Sequence, residues 1–135
     1  MSFAPAPRMR ERAERDRVIW LTTVTPSGRP APRPVWFVWD GTAFTVYSEP
    51  GAAKVRHIRA NPHVTLNFNS DSGGGDVLVV RGRAEIADPP VPAADQPGYL
   101  DRYRDELPGL GFDAATFTAA YATQIRVVPE STWGF

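Results

Sequence analysis

A chain of 135 residues with 42% hydrophobic content is long enough for one domain with a modest core, and it is not a composition-driven disordered polymer. Fifteen basic and fifteen acidic residues cancel, which removes the net positive footprint of a general nucleic-acid binder. The absence of cysteine excludes disulfides, zinc fingers, iron–sulfur clusters and thiol catalysis.

No apolar run reaches membrane-span length, and the polar stretch MSFAPAPRMRERAERDR carries no signal-peptide segment. A soluble cytoplasmic protein with no membrane or nucleic-acid partner is expected. A domain this small leaves much surface unburied, so self-association is expected too. Arg, Ala and Pro are abundant, as a GC-rich genome would write them, and against fourteen arginines the single lysine, Lys54, stands out.

Residues 1–16 read as a tail and a short helix, and residues 17–135 as one domain. Positions 1–7 are Pro/Ala-rich and predict a frayed end. RMRERAERD, residues 8–16, alternates charges without Pro or Gly, which predicts a helix with a solvated basic face. RVIWLTTVT, residues 17–25, is a strand ended by the turn Pro26-Ser27-Gly28. Residues 31–39 form a second strand with Pro32 and Pro34 at alternate positions. Proline donates nothing to a ladder, so this strand must begin at an edge or a bulge, with VWFVW buried. Asp40-Gly41 is a hairpin signal leading into TAFTVYS, residues 42–48.

GAAKVRHIRA, residues 51–60, breaks the strand pattern. Val55 and Ile58 fall on one side of a short helix, which Asn61-Pro62 stops. HVTLNFN, residues 63–69, alternates Val64, Leu66 and Phe68 on one face, and VLVVRGRAEI, residues 77–86, follows a glycine-rich loop. A Pro-rich connection then leads to helical patterns over residues 99–107 and 113–122, before the last strand, TQIRVV, residues 123–128. Six strands, mostly hairpin-linked, without alternating βαβ units, predict a mainly β protein: a small antiparallel barrel with short helices.

The usual catalytic signatures are missing. There is no GxSxG elbow, and His57 and His63 stand across a helix stop at no recognised metal spacing, so no metal site is expected. The loop Asp71-Ser72-Gly73-Gly74-Gly75-Asp76 lacks the GK[ST] of a P-loop and reads as a hairpin loop.

The segment from Tyr47 to Ile58 is different. A strand delivers the Ser48 hydroxyl, a Pro-Gly turn follows, and a helix opens with Lys54 in its first turns. Lys54, Arg56, His57 and Arg59 occur with no acid among them. Free N–H groups, the positive end of the dipole and an ammonium together bind an anion. The same pattern also fits Ser48 opening a helix whose arginines face water, and pattern alone leaves the two readings level.

VIWLTTVTPSGRPAPRPVWFVWDG, VYSEPGAAKVRHIRANPHVTLNF and VVRGRAEI, with the terminal TWGF, occur here in one order and spacing. Together they resemble the pyridoxamine-phosphate-oxidase-like FMN-binding split barrels, and more closely the actinobacterial branch that uses the deazaflavin coenzyme F420. The resemblance implies a Greek-key split β-barrel homodimer with cofactors at the subunit interface. It implies that Arg33 reaches the cofactor phosphate, that the backbone of Val35 and Trp36 runs along the flavin, that Tyr47 and Ser48 match the pair ending the third strand, and that Lys54 contacts the phosphate. Ala53 stands where FMN-dependent oxidases of the family carry Arg. Phe37 or Val38 stands where they carry Lys, and Asp76 or Val77 where they carry Gln. The Arg/His-rich segment that holds pyridoxamine has no counterpart before Trp133-Gly134-Phe135.

The expectation is therefore an F420-dependent oxidoreductase acting on a small conjugated substrate, with Arg33, Val35, Trp36, Tyr47, Ser48, Ala53, Lys54 and His57 at the cofactor. The alternatives are an FMN-dependent oxidoreductase of the same fold and a non-enzymatic flavin or haem binder. No catalytic side chain is assigned. Tyr47, His57 or bound water are the candidates to protonate a reduced substrate, because the cofactor carries the hydride.

Overall fold

The computed structural model describes residues 6–135; residues 1–5 of the expected tail lie outside it. Helix α1 (Pro7–Arg15) opens on a proline, which needs no N–H in a first turn. Its buried stripe is Met9, Arg12 and Ala13, spaced to share one helix side. The expected solvated basic face is corrected at Arg12, which is 3% exposed. Its guanidinium donates to the Asp16 carboxylate (2.8 Å) and to the carbonyls of Asp76 (2.5 Å) and Asn69 (2.7 Å). A buried cation persists when its donors find acceptors in this way.

Strands β1 (Ile19–Val24) and β2 (Pro30–Val35) form the first hairpin. Gly28 takes the positive φ, +84°, that its turn requires. The predicted second strand does not stay whole. After β2 the chain passes through Trp36 and Phe37 and resumes as β3 (Val38–Trp39), which pairs with β4 (Phe44–Ser48) across the Asp40-Gly41 turn. Helix α2 (Ala53–Ala60), strands β5 (His63–Asn67) and β6 (Leu78–Ile86), helices α3 (Tyr99–Tyr103) and α4 (Ala114–Ala120) and strand β7 (Thr123–Gly134) follow. The expected six strands are thus seven among the described residues, in the order β2-β1-β5-β6-β7-β4-β3. All pairings are antiparallel.

That order forces the sheet to curl. β2 and β3 are its two opposite edges, yet only Trp36 and Phe37 join them. The sheet bends round to bring its edges together, which makes it a split barrel. Inside lie Ile19, Leu21, Phe37, Phe44, Leu66 and Ile125, each at most 1% exposed, with α1 and α2 closing the ends. β7 runs past the predicted end at residue 128: Pro129 pairs with Gly82, and a bulge at Glu130 shifts the register before Ser131 pairs with Arg81. A Cβ on Gly82 would lie 2.8 Å from the Val127 side chain, so the position is held to glycine.

The prolines of β2 act as the sequence implied. Thr25 N–H donates to the Arg29 carbonyl, and the pairs Thr23–Ala31, Leu21–Arg33 and Ile19–Val35 continue that hydrogen-bonded series. Pro30, Pro32 and Pro34 occupy the alternate pairs, so their nitrogens face the free edge. β2 is an edge strand whose outer side offers carbonyls and no N–H along this run.

Residues 88–122 form a second layer outside β3 and β4. Its helices bury Tyr99, Tyr103, Leu107 and Phe117 against Val38 and Tyr47. β4 is therefore buried on both faces, which explains its uninterrupted buried run. Asp113 caps α4 by accepting from the Thr116 N–H (2.8 Å), and the Thr116 hydroxyl accepts from the Asp113 N–H in return. Among the described residues no helix is long and apolar enough to cross a membrane.

The break between β2 and β3 leaves the Phe37 backbone without ladder partners. The Tyr103 hydroxyl supplies them: it accepts from Phe37 N–H (2.8 Å) and lies within bonding distance of the carbonyls of Phe37 (2.9 Å) and Arg17 (2.6 Å). Tyr103→Phe strands a buried N–H and should cost about 2 kcal/mol in urea unfolding. A loss below about 0.5 kcal/mol would show that the hydroxyl does not seal the break.

Candidate functional site

Two cavities lie side by side along β2 and share Pro34 and Lys54. One is cationic. It has a volume of about 280 Å³ and is lined by Thr23, Ala31, Arg33, Pro34, Ala52, Ala53, Lys54 and His57. The other is aromatic. It has a volume of about 400 Å³ and is lined by Val18, Pro34, Val35, Trp36, Tyr47, Lys54, Tyr99, Leu110, Phe117 and Tyr121.

The cationic cavity follows from local geometry. Val55 and Ile58 turn one side of α2 into the core, and Lys54 and His57, three apart, point to the β1–β2 side. The His57 Nδ1 hydrogen-bonds the buried Thr23 hydroxyl at 2.9 Å. α2 starts on Ala52 with no side-chain cap and no acid in its first turn, and the N–H groups of Ala53 and Lys54 have no acceptor among the described residues. Alanine is a poor N-cap, so this terminus keeps free N–H groups of the kind that bind anions. Lys54 is half-buried. Its pKa is held below the usual 10.5 first by burial and then by the neighbouring Arg33 guanidinium, with Glu49 opposing weakly. Two cations beside uncapped N–H groups suit a phosphate-sized anion.

The aromatic cavity depends on the second layer. The Trp36 indole lies flat on Tyr103, with centroids 4.4 Å apart and an interplanar angle of 3°. Phe117 follows at 5.7 Å, and Tyr121 stacks on Phe117 at 4.5 Å. The Tyr47 hydroxyl donates to the Val91 carbonyl at 2.6 Å, and its pKa is pushed up to about 12 by burial. It is a poor acid at neutral pH. His57 lines the other cavity, so neither sequence candidate for a proton donor stands ready beside the aromatic wall.

Seven of the eight expected residues line the two cavities: Val35, Trp36 and Tyr47 the aromatic one, Arg33, Ala53 and His57 the cationic one, and Lys54 both. Ser48 lines neither. It is 1% exposed, and its hydroxyl donates to the Glu49 carbonyl at 2.9 Å. The expected FMN contacts have no substitute at their own positions: Phe37 is fully buried in the core, and Asp76 is held by Arg8 and Arg15. Sequence reasoning missed Thr23, Tyr99, Leu110, Phe117 and Tyr121. The one local sign was Ala52, an uncapped start beside a lone lysine.

A curled antiparallel sheet whose two edges are successive in the chain, with two cavities along one edge strand, defines a split β-barrel protein. The profile of the pyridoxamine 5'-phosphate oxidase family matches residues 6–125, and the chain belongs to that family. It is similar to the solved structure of an F420 reductase: 28% identity, 96% of this chain and 98% of the other covered, TM-score 0.73. Fold similarity alone links it to an FAD-binding protein of Mesorhizobium loti (24% identity, 95% and 90% covered, TM-score 0.62). The same holds for a haem-storage protein of Vibrio cholerae (18% identity, 99% and 95% covered, TM-score 0.66). No curated protein matches the chain significantly.

Lys54 sets a pH signature. Its folded pKa lies below 10.5, so between the two values the unfolded chain binds more protons and stability rises with pH. Without ligand, Lys54→Met should therefore be at least as stable as the parent at pH 7. Its advantage should shrink as pH approaches 10.5 in thermal unfolding. An advantage that grows with pH would contradict the desolvated ammonium.

Proposed function

We propose that the protein is an F420-dependent oxidoreductase that holds the deazaflavin ring in the aromatic cavity and its phosphate between Lys54, Arg33 and the first turn of α2. The carrying observation is that Lys54 lines both cavities, so a ring and an anionic tail can be held at once. Similarity to an F420 reductase over nearly the whole of both chains supports the choice. So does the loss of three polar FMN contacts, at Ala53, Phe37 or Val38, and Asp76 or Val77.

A reduced deazaflavin held there would supply the hydride. The chain's own residues bind and orient: Lys54 and Arg33 neutralise the phosphate, Trp36 offers a flat apolar surface, and Leu110, Phe117 and Tyr121 exclude water. The outward carbonyls of Pro30 and Pro34 can accept from hydroxyls on a linker, while that of Pro32 already accepts from Arg33 at 2.7 Å.

Trp36 quenching reports the binding. Oxidised F420 should bind more tightly than FMN in parallel titrations, and equal or tighter FMN binding would favour the FMN-dependent reading instead. A cofactor that binds but never exchanges a hydride with any conjugated acceptor would mark a carrier. Lys54→Ala should weaken F420 at least about tenfold and change little for an analogue without the phosphate. Equal losses for both would misplace the phosphate.

The proposed working unit is a homodimer. Pro34, Trp20, Asn67, Val79 and Trp133 align across five strands on the outer sheet face. Trp133 and Phe135 are 60% and 68% exposed and meet edge to face at 5.8 Å. Such a row suits a self-complementary interface. Sedimentation should show a dimer at micromolar concentration that Trp133→Glu dissociates, and a monomeric parent would refute it.

A further inference from the structure

The tyrosine hydroxyls around the aromatic cavity are not equivalent. Tyr47 gives its proton to Val91 and Tyr103 is spent on the Arg17 and Phe37 backbone. Tyr99 is 1% exposed and lines the cavity; its hydroxyl oxygen accepts from the Tyr47 N–H, and no hydrogen bond among the described residues uses its proton. The ring cannot swing to find an acceptor. It stands edge-on to Tyr47 at 4.8 Å, tilted on Tyr103 at 5.4 Å and beside Phe117 at 6.2 Å.

Burial raises the Tyr99 pKa well above its ordinary value, with neighbouring tyrosines adding to it and the Tyr47 N–H opposing weakly. Tyr99 is therefore a neutral phenol throughout the working pH range, a donor and not an acid. Buried hydroxyls normally use both donor and acceptor, and a proton left without an acceptor on a cavity wall is where a ligand atom completes the set. Tyr121, also on the wall, is partly exposed and can turn to water. Apart from these tyrosines, Lys54 and the Trp36 indole N–H, every side chain lining the cavity is apolar.

We propose that Tyr99 donates a hydrogen bond to a carbonyl oxygen on the ring of the bound cofactor, and so selects rings that carry an acceptor at that edge. The proposal rests on the cofactor reading above. It gives the helical layer the polar contact to the ring that the strand positions Phe37, Val38 and Val77 do not provide.

The test compares Tyr99→Phe with the parent, using oxidised F420, FMN and ribitol 5-phosphate, which has the phosphate and polyol but no ring. Affinity for the better-bound of F420 and FMN should fall about three- to tenfold, and affinity for ribitol 5-phosphate should hold. The thermal midpoint without ligand should fall, because the Tyr47 N–H loses its acceptor as the Phe37 N–H does in Tyr103→Phe, so affinity for ribitol 5-phosphate is the control for an intact cavity. An equal loss of affinity for ribitol 5-phosphate would show a general disturbance of the cavity and overturn the proposal. Unchanged ring affinity in a parent that binds F420 or FMN would overturn it alone. A parent that binds none of the three probes would overturn the cofactor reading and this proposal together.

Discussion

One phenolic hydroxyl holds the architecture at its weakest point. A sheet whose two edges are successive in sequence must abandon its ladder where the chain crosses between them, and here that happens at Phe37. Without a substitute, a buried peptide group would stay unpaired. Tyr103 supplies the substitute from the helical layer, and the same ring lies flat under Trp36 at 4.4 Å. Closure of the barrel, docking of α3 and orientation of the cavity's indole wall thus share one residue. The Arg102 guanidinium, 4.8 Å from the centroid of the Phe37 ring and donating to the carbonyls of Ala13 and Asp16, ties α1 into that junction.

Net neutrality conceals a division of charge. Arg8, Arg12 and Arg15 are paired with Asp16 and Asp76, Arg17 with Glu106, and Arg126 with Asp40 and Glu85. The Asp76 carboxyl is held down to about 2, chiefly by hydrogen bonds from Arg15 and Arg8. Around α2, Arg33, Lys54, Arg56 and Arg59 have no acidic partner among the described residues. The paired cations tie α1 and the sheet together, and those beside β2 are the ones the proposed function gives to the cofactor phosphate. A chain-wide count tests for a polyanion-binding surface and does not register a site this small.

What was legible in the sequence follows the range of the forces involved. The Asp40-Gly41 hairpin, the edge character of β2 and the α2 opening at Lys54 are local, set by backbone chemistry within a few residues. The break at Phe37 was hidden because VWFVW is apolar throughout, and a buried run looks the same whether it pairs on one side of a barrel or crosses it. Arg12 was hidden because its acceptors come from residues 69 and 76. Ser48 shows the reverse case: a hydroxyl at a strand end is as easily bonded to the next carbonyl as turned toward a cavity. The cavity's second half was illegible for a related reason. Tyr99, Phe117 and Tyr121 carry helical spacing, which marks a buried face without saying whether the space opposite is filled.

The proline-stripped edge ties these strands of argument together. An edge strand with free N–H and C=O groups is a template for another strand, and natural sheets blunt such edges. In β2 the blunting is one-sided: Pro30, Pro32 and Pro34 remove the donors and keep the acceptors. A further strand needs both, so β-augmentation is blocked. A molecule bearing hydroxyls needs only acceptors, so its binding is not. The cationic cavity lies at the Ala31–Arg33 end of this edge and the aromatic cavity at the Val35–Trp36 end. The edge without donors is therefore also the floor between the two cavities. On the proposed function, its outward carbonyls meet the hydroxyls between an anion at one end and a flat ring at the other.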